Sequence, residues 1–425
     1  MVNEKLLHFI WENSLIEAPS LFTADGESIR VLDKGTLNPN AGPDFLDARV
    51  QIGNTLWAGH IEIHVHTTDW LRHGHGKDPK YKNVILHVVM FNDGNLDLPT
   101  LELNGKIQQK LITQYHELQQ SQSWIACENN EQRLDPFSLY QFKNRLILER
   151  FERKLEVIRE DLEATQNDWE ECHYRNLLRV FGLKVNANGF NMLARELPFK
   201  ILRKHVDSLL QVEALLFGVA GFLEAPIDAY QQSLEQEYRF LKAKYQLKTM
   251  PGAIWNFATL RPPNFPSLRI AQLAALVANN KISFAEITKI QHHNKAVKYF
   301  KATASSYWDN HYHFKSVTEK NRKKDIGLRT LELLCINHTI PMAYAFGWFN
   351  GDFTLKERAV EWLEKLKPER NQIVSKWFNL GYTIDSAFDS QALIQLKNEY
   401  CNYKKCLSCA VGSSILRNLN PANEN

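Results

Sequence analysis

No stretch of this sequence is apolar for long enough to cross a bilayer, which takes about 20 residues. The longest run, around Leu215–Leu223, holds two glycines and is bounded by Glu213 and Glu224. The first residues, Met1-Val2-Asn3-Glu4-Lys5, lack the charged-then-apolar layout of a secretory signal. Cysteine is scarce, six in 425 residues with three in one cluster, which excludes an extracellular disulfide framework. The expectation is a cytoplasmic protein with no membrane partner. There is no repeat at solenoid periods and no HExxH zinc-protease helix. Neither sign of charge dominates, with 51 Lys+Arg against 48 Asp+Glu. Hydrophobic residues at 44% and charged residues at 23% exclude collagen-like and disordered classes, and the length favours two or three domains.

What is present is unevenly spread. Residues 1–115 hold 10 Lys+Arg and 14 Asp+Glu, a net of −4, while the remainder holds 41 and 34, a net of +7. Six of the 15 histidines (His60, His64, His66, His73, His75 and His87) fall within one 28-residue window. The unusual chemistry therefore sits in an acidic first part, and a basic second part follows.

Periodicity gives the two parts different architectures. Residues 3–15 carry Leu6, Leu7, Ile10, Trp11 and Leu15 at helical spacing. Strands are expected at 28–32, 44–52, 55–66 and 83–91, with an edge strand within 95–103. In 44–52 Leu46, Ala48, Val50 and Ile52 alternate with polar residues, and Gly53-Asn54 turns the chain back. The run 83–91 is almost wholly apolar and predicts a strand buried on both faces. Beyond residue 105 the period changes to 3.6. The spacing predicts an α+β N-terminal domain with a mixed sheet over 1–115, a connector over 116–136, and a large mainly α-helical region over 137–425. The Pro-rich stretch Arg261–Pro266 is expected to be rigid and non-helical, and the tail from Asn418 to be disordered.

The informative segment is Gly42-Pro43-Asp44-Phe45 followed by Gly59–Trp70, His73-Gly74-His75, Tyr81 and His87. Alternate residues of a strand share a face, so Glu62, His64 and His66 point one way and Ile61, Ile63 and Val65 the other. A carboxylate and imidazoles partly buried between strands need partners, and a metal ion is the economical one. Asp44, Glu62, His64 and His66 are the candidate ligands. Imidazoles favour zinc, manganese or iron, and carboxylates with water favour magnesium. His87 reads as a core histidine.

Pro43-Asp44 followed eighteen residues later by Glu62-Ile63-His64 resembles the PD-(D/E)XK nuclease superfamily, and the order helix, strand, strand, strand, later strand fits. The resemblance covers about a quarter of the chain. It implies that Asp44 and Glu62 hold a divalent metal, Mg²⁺ or Mn²⁺, for phosphodiester cleavage. His64 then stands where the superfamily usually has a lysine assisting the attacking water, and imidazole titrates near neutrality where lysine carries a fixed charge. A second resemblance spans essentially the whole chain, to the domain of unknown function 2851 family. It is carried by Gly42–Phe45, Glu62-Ile63-His64, Asp69-Trp70 with His73 and His75, Val84–Val89, Glu213–Gly218, Arg261–Pro266 and the terminal cysteines. That family transfers no activity.

Cys401, Cys406 and Cys409 form C-x4-C-x2-C, a metal-hook spacing. The candidates are zinc or an iron–sulfur cluster, with a fourth ligand from Cys127, Cys172, Cys335 or His338, against a plain group of buried thiols. Some nucleases of the superfamily hold an iron–sulfur cluster with four cysteines at other spacings. Lys320, Arg322, Lys323 and Lys324 follow the aromatic run Tyr307–Phe314. With Arg261 they are candidate nucleic-acid contacts, set against a solvated loop beside core aromatics. Three functions compete: a divalent-metal-dependent nuclease or phosphodiesterase, a non-enzymatic binding or scaffold protein with structural metal sites, and a zinc hydrolase using His64, His66, His73 or His75.

Overall fold

A computed structural model describes residues 2–130, 134–258, 260–314 and 316–418. Residues 419–425, most of the expected tail, lie outside the described residues. The chain divides into two compact units, Met1–Phe142 with Leu396–Asn425, and Lys143–Gln395.

The first unit begins with helix α1 (Glu4–Glu12), whose Asn3 cap accepts the Leu6 N–H at 3.0 Å. Strands β1 (Leu21–Phe22), β2 (Ser28–Asp33), β3 (Thr36–Leu37), β4 (Phe45–Ile52) and β5 (Thr55–His66) follow. Then come helix α2 (Asp69–Arg72), β6 (Val84–Phe91), β7 (Thr100–Glu102) and helix α3 (Gln109–Gln120). The sheet order is β1-β2-β4-β5-β6-β7, with β3 on β4. Pairing is antiparallel from β1 to β5 and parallel across β5, β6 and β7. This is the mixed sheet expected from the sequence. The face carrying Ile61, Ile63, Val50 and Leu86 packs under Leu6, Leu7, Ile10 and Trp11. Each such fully buried side chain contributes about 1.5–3 kcal/mol. Strand β6 is buried along all but its last residue, as its unbroken apolar run requires.

The C-terminal segment differs from expectation. Its 3.6-residue period predicts the end of the helical region, yet the helix Ala410–Arg417 folds with the first unit. Leu416 and Cys406 are part of the same core as the sheet. A long-range return of this kind leaves no periodicity signal, because local spacing reports a helix and not its neighbour. The boundary read at residue 115 likewise falls inside the first unit, since α3 buries Leu111, Ile112, Tyr115 and Leu118 in that core.

The second unit is helical, as its 3.6-residue periodicity predicts. Its helices include Trp169–Phe181, Ala187–Glu196, Leu209–Val219, Ala229–Tyr245, Pro266–Ala278, Ile340–Asn350 and Phe353–Lys365. Trp308, Trp362, Trp377, Tyr174 and Phe217 are fully buried in it. The Pro-rich stretch is not wholly irregular: Pro262–Asn264 forms a 3-10 turn and Pro266 opens a helix. Proline suits a first helical turn, where its missing N–H has no partner to lose.

Candidate metal centre

Three pieces of backbone converge where β5 and β6 run parallel inside the sheet. Asp44 immediately precedes β4, and the pairing of Phe45 with Ile61 sets it beside Glu62. The two acids interlock: the Asp44 N–H donates to Glu62 Oε2 at 3.2 Å, and the Ile63 N–H donates to Asp44 Oδ2 at 2.9 Å. His64 follows on the same face, as the period of two requires. From β6, His87 meets it, with Nε2 2.8 Å from His64 Nδ1.

The loop after α2 closes the site. Gly74 takes a left-handed conformation (φ 75°), which glycine adopts without penalty, and the chain folds back so that His73 and His75 both face His64. His73 Nδ1 lies 3.2 Å from His64 Nε2, and the His75 ring stacks on that of His64 with centroids 5.2 Å apart. Tyr81 also stacks on His75, with centroids 3.9 Å apart, and Trp70 meets both His75 and His87 edge-on or tilted at 5.4 Å. His64, His73 and His75 each offer a ring nitrogen within 4.8 Å of the others.

The carboxylate completes this donor set. Glu62 Oε1 lies 3.4 Å from His64 Nε2 and 3.2 Å from His75 Nε2. His75 Nε2 is buried yet makes no hydrogen bond, so it approaches Glu62 without the directionality of one. Two potential ligands facing each other this way fit a shared cation. When His64 donates its Nδ1–H to His87, its Nε2 lone pair turns towards Glu62 and His75. An outer partner fixing the tautomer is the usual support for a metal-binding imidazole.

Electrostatics point the same way. Burial, and then repulsion from Asp44, pushes Glu62 up to about 8. Burial, with the neighbouring His87, His75 and His73, pushes His64 down to about 3. Burial also pushes His87 down to about 4. Burial thus favours the neutral, metal-ligating form of His64 and His75, and the carboxyl lacks a counter-charge. A divalent cation would supply one. Neutral His64 with both nitrogens engaged is suited to be a ligand, and less to be the proton acceptor near the attacking water that the superfamily resemblance implies.

Over residues 4–372 the chain matches the family model described as "Protein of unknown function (DUF2851)". The chain belongs to the DUF2851 family. No curated protein and no solved structure matches it. The matched span takes in the whole histidine and carboxylate cluster of this DUF2851 chain.

The other sequence candidates divide. His66 lies on the expected face but one step too far along β5. It is half exposed, 3.0 Å from Asp93 and beside Phe91, and does not join Glu62 and His64. We expect His66→Ala to weaken metal binding by less than the roughly 10-fold that loss of an outer-shell partner costs, measured by competitive chelator titration. His8 on α1, which carries no motif, does reach the site, 3.2 Å from Asp44 Oδ2. His87, read as a core histidine, is fully buried but supports His64. Cys401, Cys406 and Cys409 lie in the first unit, where Cys127 joins them. Cys172, Cys335 and His338 belong to the second unit.

In the second unit Arg322, Lys323 and Lys324 line a cavity of about 620 Å³, with Arg269, Lys298, Lys301 and Tyr312. Lys320 and Arg261 are exposed and do not line it. Lys324 is buried, donating to the carbonyls of Asp309 and Arg322 and lying 4.3 Å from the Tyr312 ring centroid. Arg269 had no sequence signal. It is buried, its hydrogen-bond partners Gln272, Asn264 and Thr330 are all neutral, and burial lowers it to about 10. The aromatic run is mainly core: Trp308 stacks on Phe217 and meets Phe314, and Tyr307 stacks between Tyr230 and His311. Glu213 accepts hydrogen bonds from Tyr230 and Ser305 at 2.7 Å and holds packed elements together.

Proposed function

We propose that this DUF2851 protein is a divalent-metal-dependent phosphodiesterase acting on nucleic acid. The observation that carries the reading is the buried Glu62 carboxyl facing the ring nitrogens of His64 and His75, with His73 and Asp44 at its side. The order of α1, β2, β4, β5 and β6 supports it, being the order that the nuclease resemblance implies. The three-imidazole set favours manganese, zinc or iron over magnesium.

Glu62, His64, His73 and His75 would hold the ion, with Asp44 beside them. The ion would stabilise negative charge building on the phosphate oxygens. The chain's own groups orient and insulate this centre. His87 fixes the His64 tautomer, Tyr81 and Trp70 hold the His75 ring, and the Ile63 N–H locks Asp44. His73 is the exposed imidazole of the group.

The basic cavity of the second unit supports binding of a polyanion. Its buried Arg269 has only neutral partners, and Lys298, Lys301, Arg322 and Lys323 add charge of the same sign. Reversing both Arg322 and Lys323 to Glu should weaken binding across all sequences and lower the slope of log affinity against log salt by about 1–2. An unchanged slope would remove this cavity from the reading.

The test of the reaction is cleavage of single- and double-stranded DNA and RNA by the full chain with Mn²⁺, Zn²⁺, Fe²⁺ or Mg²⁺, against chelated controls. Metal-dependent cleavage lost in Asp44→Asn supports it. Metal binding at the cluster without cleavage of any substrate favours the structural-metal reading.

A further inference from the structure

The cysteines near the two ends of the first unit are brought together by contacts independent of their thiols. Gln119 at the end of α3 and Lys404 exchange two hydrogen bonds: Gln119 Nε2 donates to the Lys404 carbonyl at 3.0 Å, and Lys404 Nζ donates to the Gln119 carbonyl at 2.6 Å. Lys397 lies over the Trp124 ring at 5.3 Å. The segment leading to Cys127 is thereby set against the segment leading to Cys401. Cys127 and Leu407 pack on the same apolar core that contains Cys406.

Local backbone then fixes the cysteine-bearing turns. Cys401 opens a 3-10 turn that ends at Lys404 in a left-handed conformation (φ 50°). Cys406 and Cys409 bracket a tight turn closed by the Cys409 N–H on the Cys406 carbonyl at 3.3 Å, and Cys409 caps the helix Ala410–Arg417. Gly412 is required at this corner, because a Cβ there would lie 2.3 Å from the Cys406 carbonyl oxygen. Cys406 and Cys409 are buried, and Cys127 and Cys401 are partly so.

Each of the four thiols lies within electrostatic reach of the others. Burial, and then Cys409, raises Cys127 to about 11, and burial with Cys409 and Cys127 raises Cys406 to about 12. Cys401 is raised by burial and by all three of its neighbours. These thiols, none of them in a disulfide, come from segments about 270–280 residues apart in the sequence. Lys397 lies near Cys401 and Lys404 near Cys406, where they would offset the negative charge of a tetrathiolate centre.

We propose that Cys127, Cys401, Cys406 and Cys409 form a four-thiolate site for a soft metal centre, a zinc ion or an iron–sulfur cluster, that ties the C-terminal segment to the first unit. Binding releases the thiol protons to solvent, and a cluster additionally requires iron and sulfide. The site stands apart from the histidine centre and does not depend on its chemistry.

The test is metal and sulfide analysis, with a visible spectrum, of the full chain purified without oxygen, in wild type, Glu62→Gln and Cys127→Ser. Glu62→Gln removes the charged ligand of the histidine centre, and organomercurials displace only thiolate-held metal, so the metal that they release from it reports the cysteines. We expect Glu62→Gln to retain zinc, or iron with sulfide and visible absorption, and to release it when an organomercurial titrates four thiols. Cys127→Ser should lose retention by more than the roughly 10–100-fold of an outer-shell change. Should Cys127→Ser not fold, the mercurial release from Glu62→Gln decides alone. A metal-free Glu62→Gln chain with four freely reactive thiols, or a disulfide among them, overturns the proposal.

Discussion

Glu62→Ala should abolish metal-dependent cleavage, lowering kcat by at least roughly 10³-fold, while leaving the first unit folded. The size follows from what the side chain does. Its carboxyl faces both His64 and His75, and its Oε2 anchors the Asp44 backbone. Removing it withdraws a charged ligand and loosens the second acid together. The fold survives because its core is the opposite face of β5, where Ile61 and Ile63 pack under α1. The check is steady-state cleavage beside far-ultraviolet circular dichroism and thermal melting. A folded Glu62→Ala chain retaining activity within about 10-fold of wild type would falsify the assignment of Glu62.

The second large effect is a dependence of metal stabilisation on pH. In the metal-free chain Glu62 has a folded pKa of about 8, raised from its ordinary value. Between that ordinary value near 4.5 and 8 the unfolded chain has released the proton and the folded chain keeps it. Stability therefore falls as pH rises through this window, by on the order of 3 kcal/mol from pH 5 to pH 8. His64, lowered to about 3, acts from the other side. Below about 6.5 the unfolded chain gains a proton that the folded chain refuses, and stability falls as pH drops towards 3. A bound divalent cation keeps Glu62 ionised and removes the alkaline penalty. The gain in Tm on adding Zn²⁺ or Mn²⁺ should thus grow from pH 6 to pH 8. Glu62→Gln should be more stable than wild type when both are metal-free at pH 8, and should lose the pH-dependent part of the metal gain. Melting curves of both chains, with and without metal, measure this. Equal metal gains in the two chains would place the stabilising ion elsewhere.

How much of this was legible in the sequence follows from the range of each signal. The alternation in β4 and β5 is local, so the sequence assigns Glu62 and His64 to one face and Ile61 and Ile63 to the other, as observed. The same alternation puts His66 on the metal face, but a period of two carries no information about where along the strand a site ends. His73 and His75 were visible only as histidine density, since their return depends on the left-handed Gly74 and on packing against Trp70 and Tyr81. His8 could not be read, because its approach to Asp44 is set by how α1 lies on the sheet. Cys127 was one of four open choices for the same reason: the contacts of Gln119 with Lys404 and Trp124 with Lys397 join residues some 270–285 positions apart. Long-range packing likewise carried the C-terminal helix into the first unit against the boundaries drawn from local texture. Arg269 sits in a strongly apolar helix, where an arginine reads as an interruption and only its burial beside the basic cavity gives it meaning.

We propose that one divalent ion binds among Glu62, His64, His73 and His75. Anomalous diffraction from crystals of the full chain soaked in Zn²⁺ or Mn²⁺, recorded at the edge of the metal, tests it most directly. The expected result is a peak at coordination distance, about 2.0–2.2 Å, from Glu62 Oε1 and from ring nitrogens of the histidines. Ordered metal elsewhere in the crystal, with Glu62 and His75 left facing each other without a peak, would contradict it.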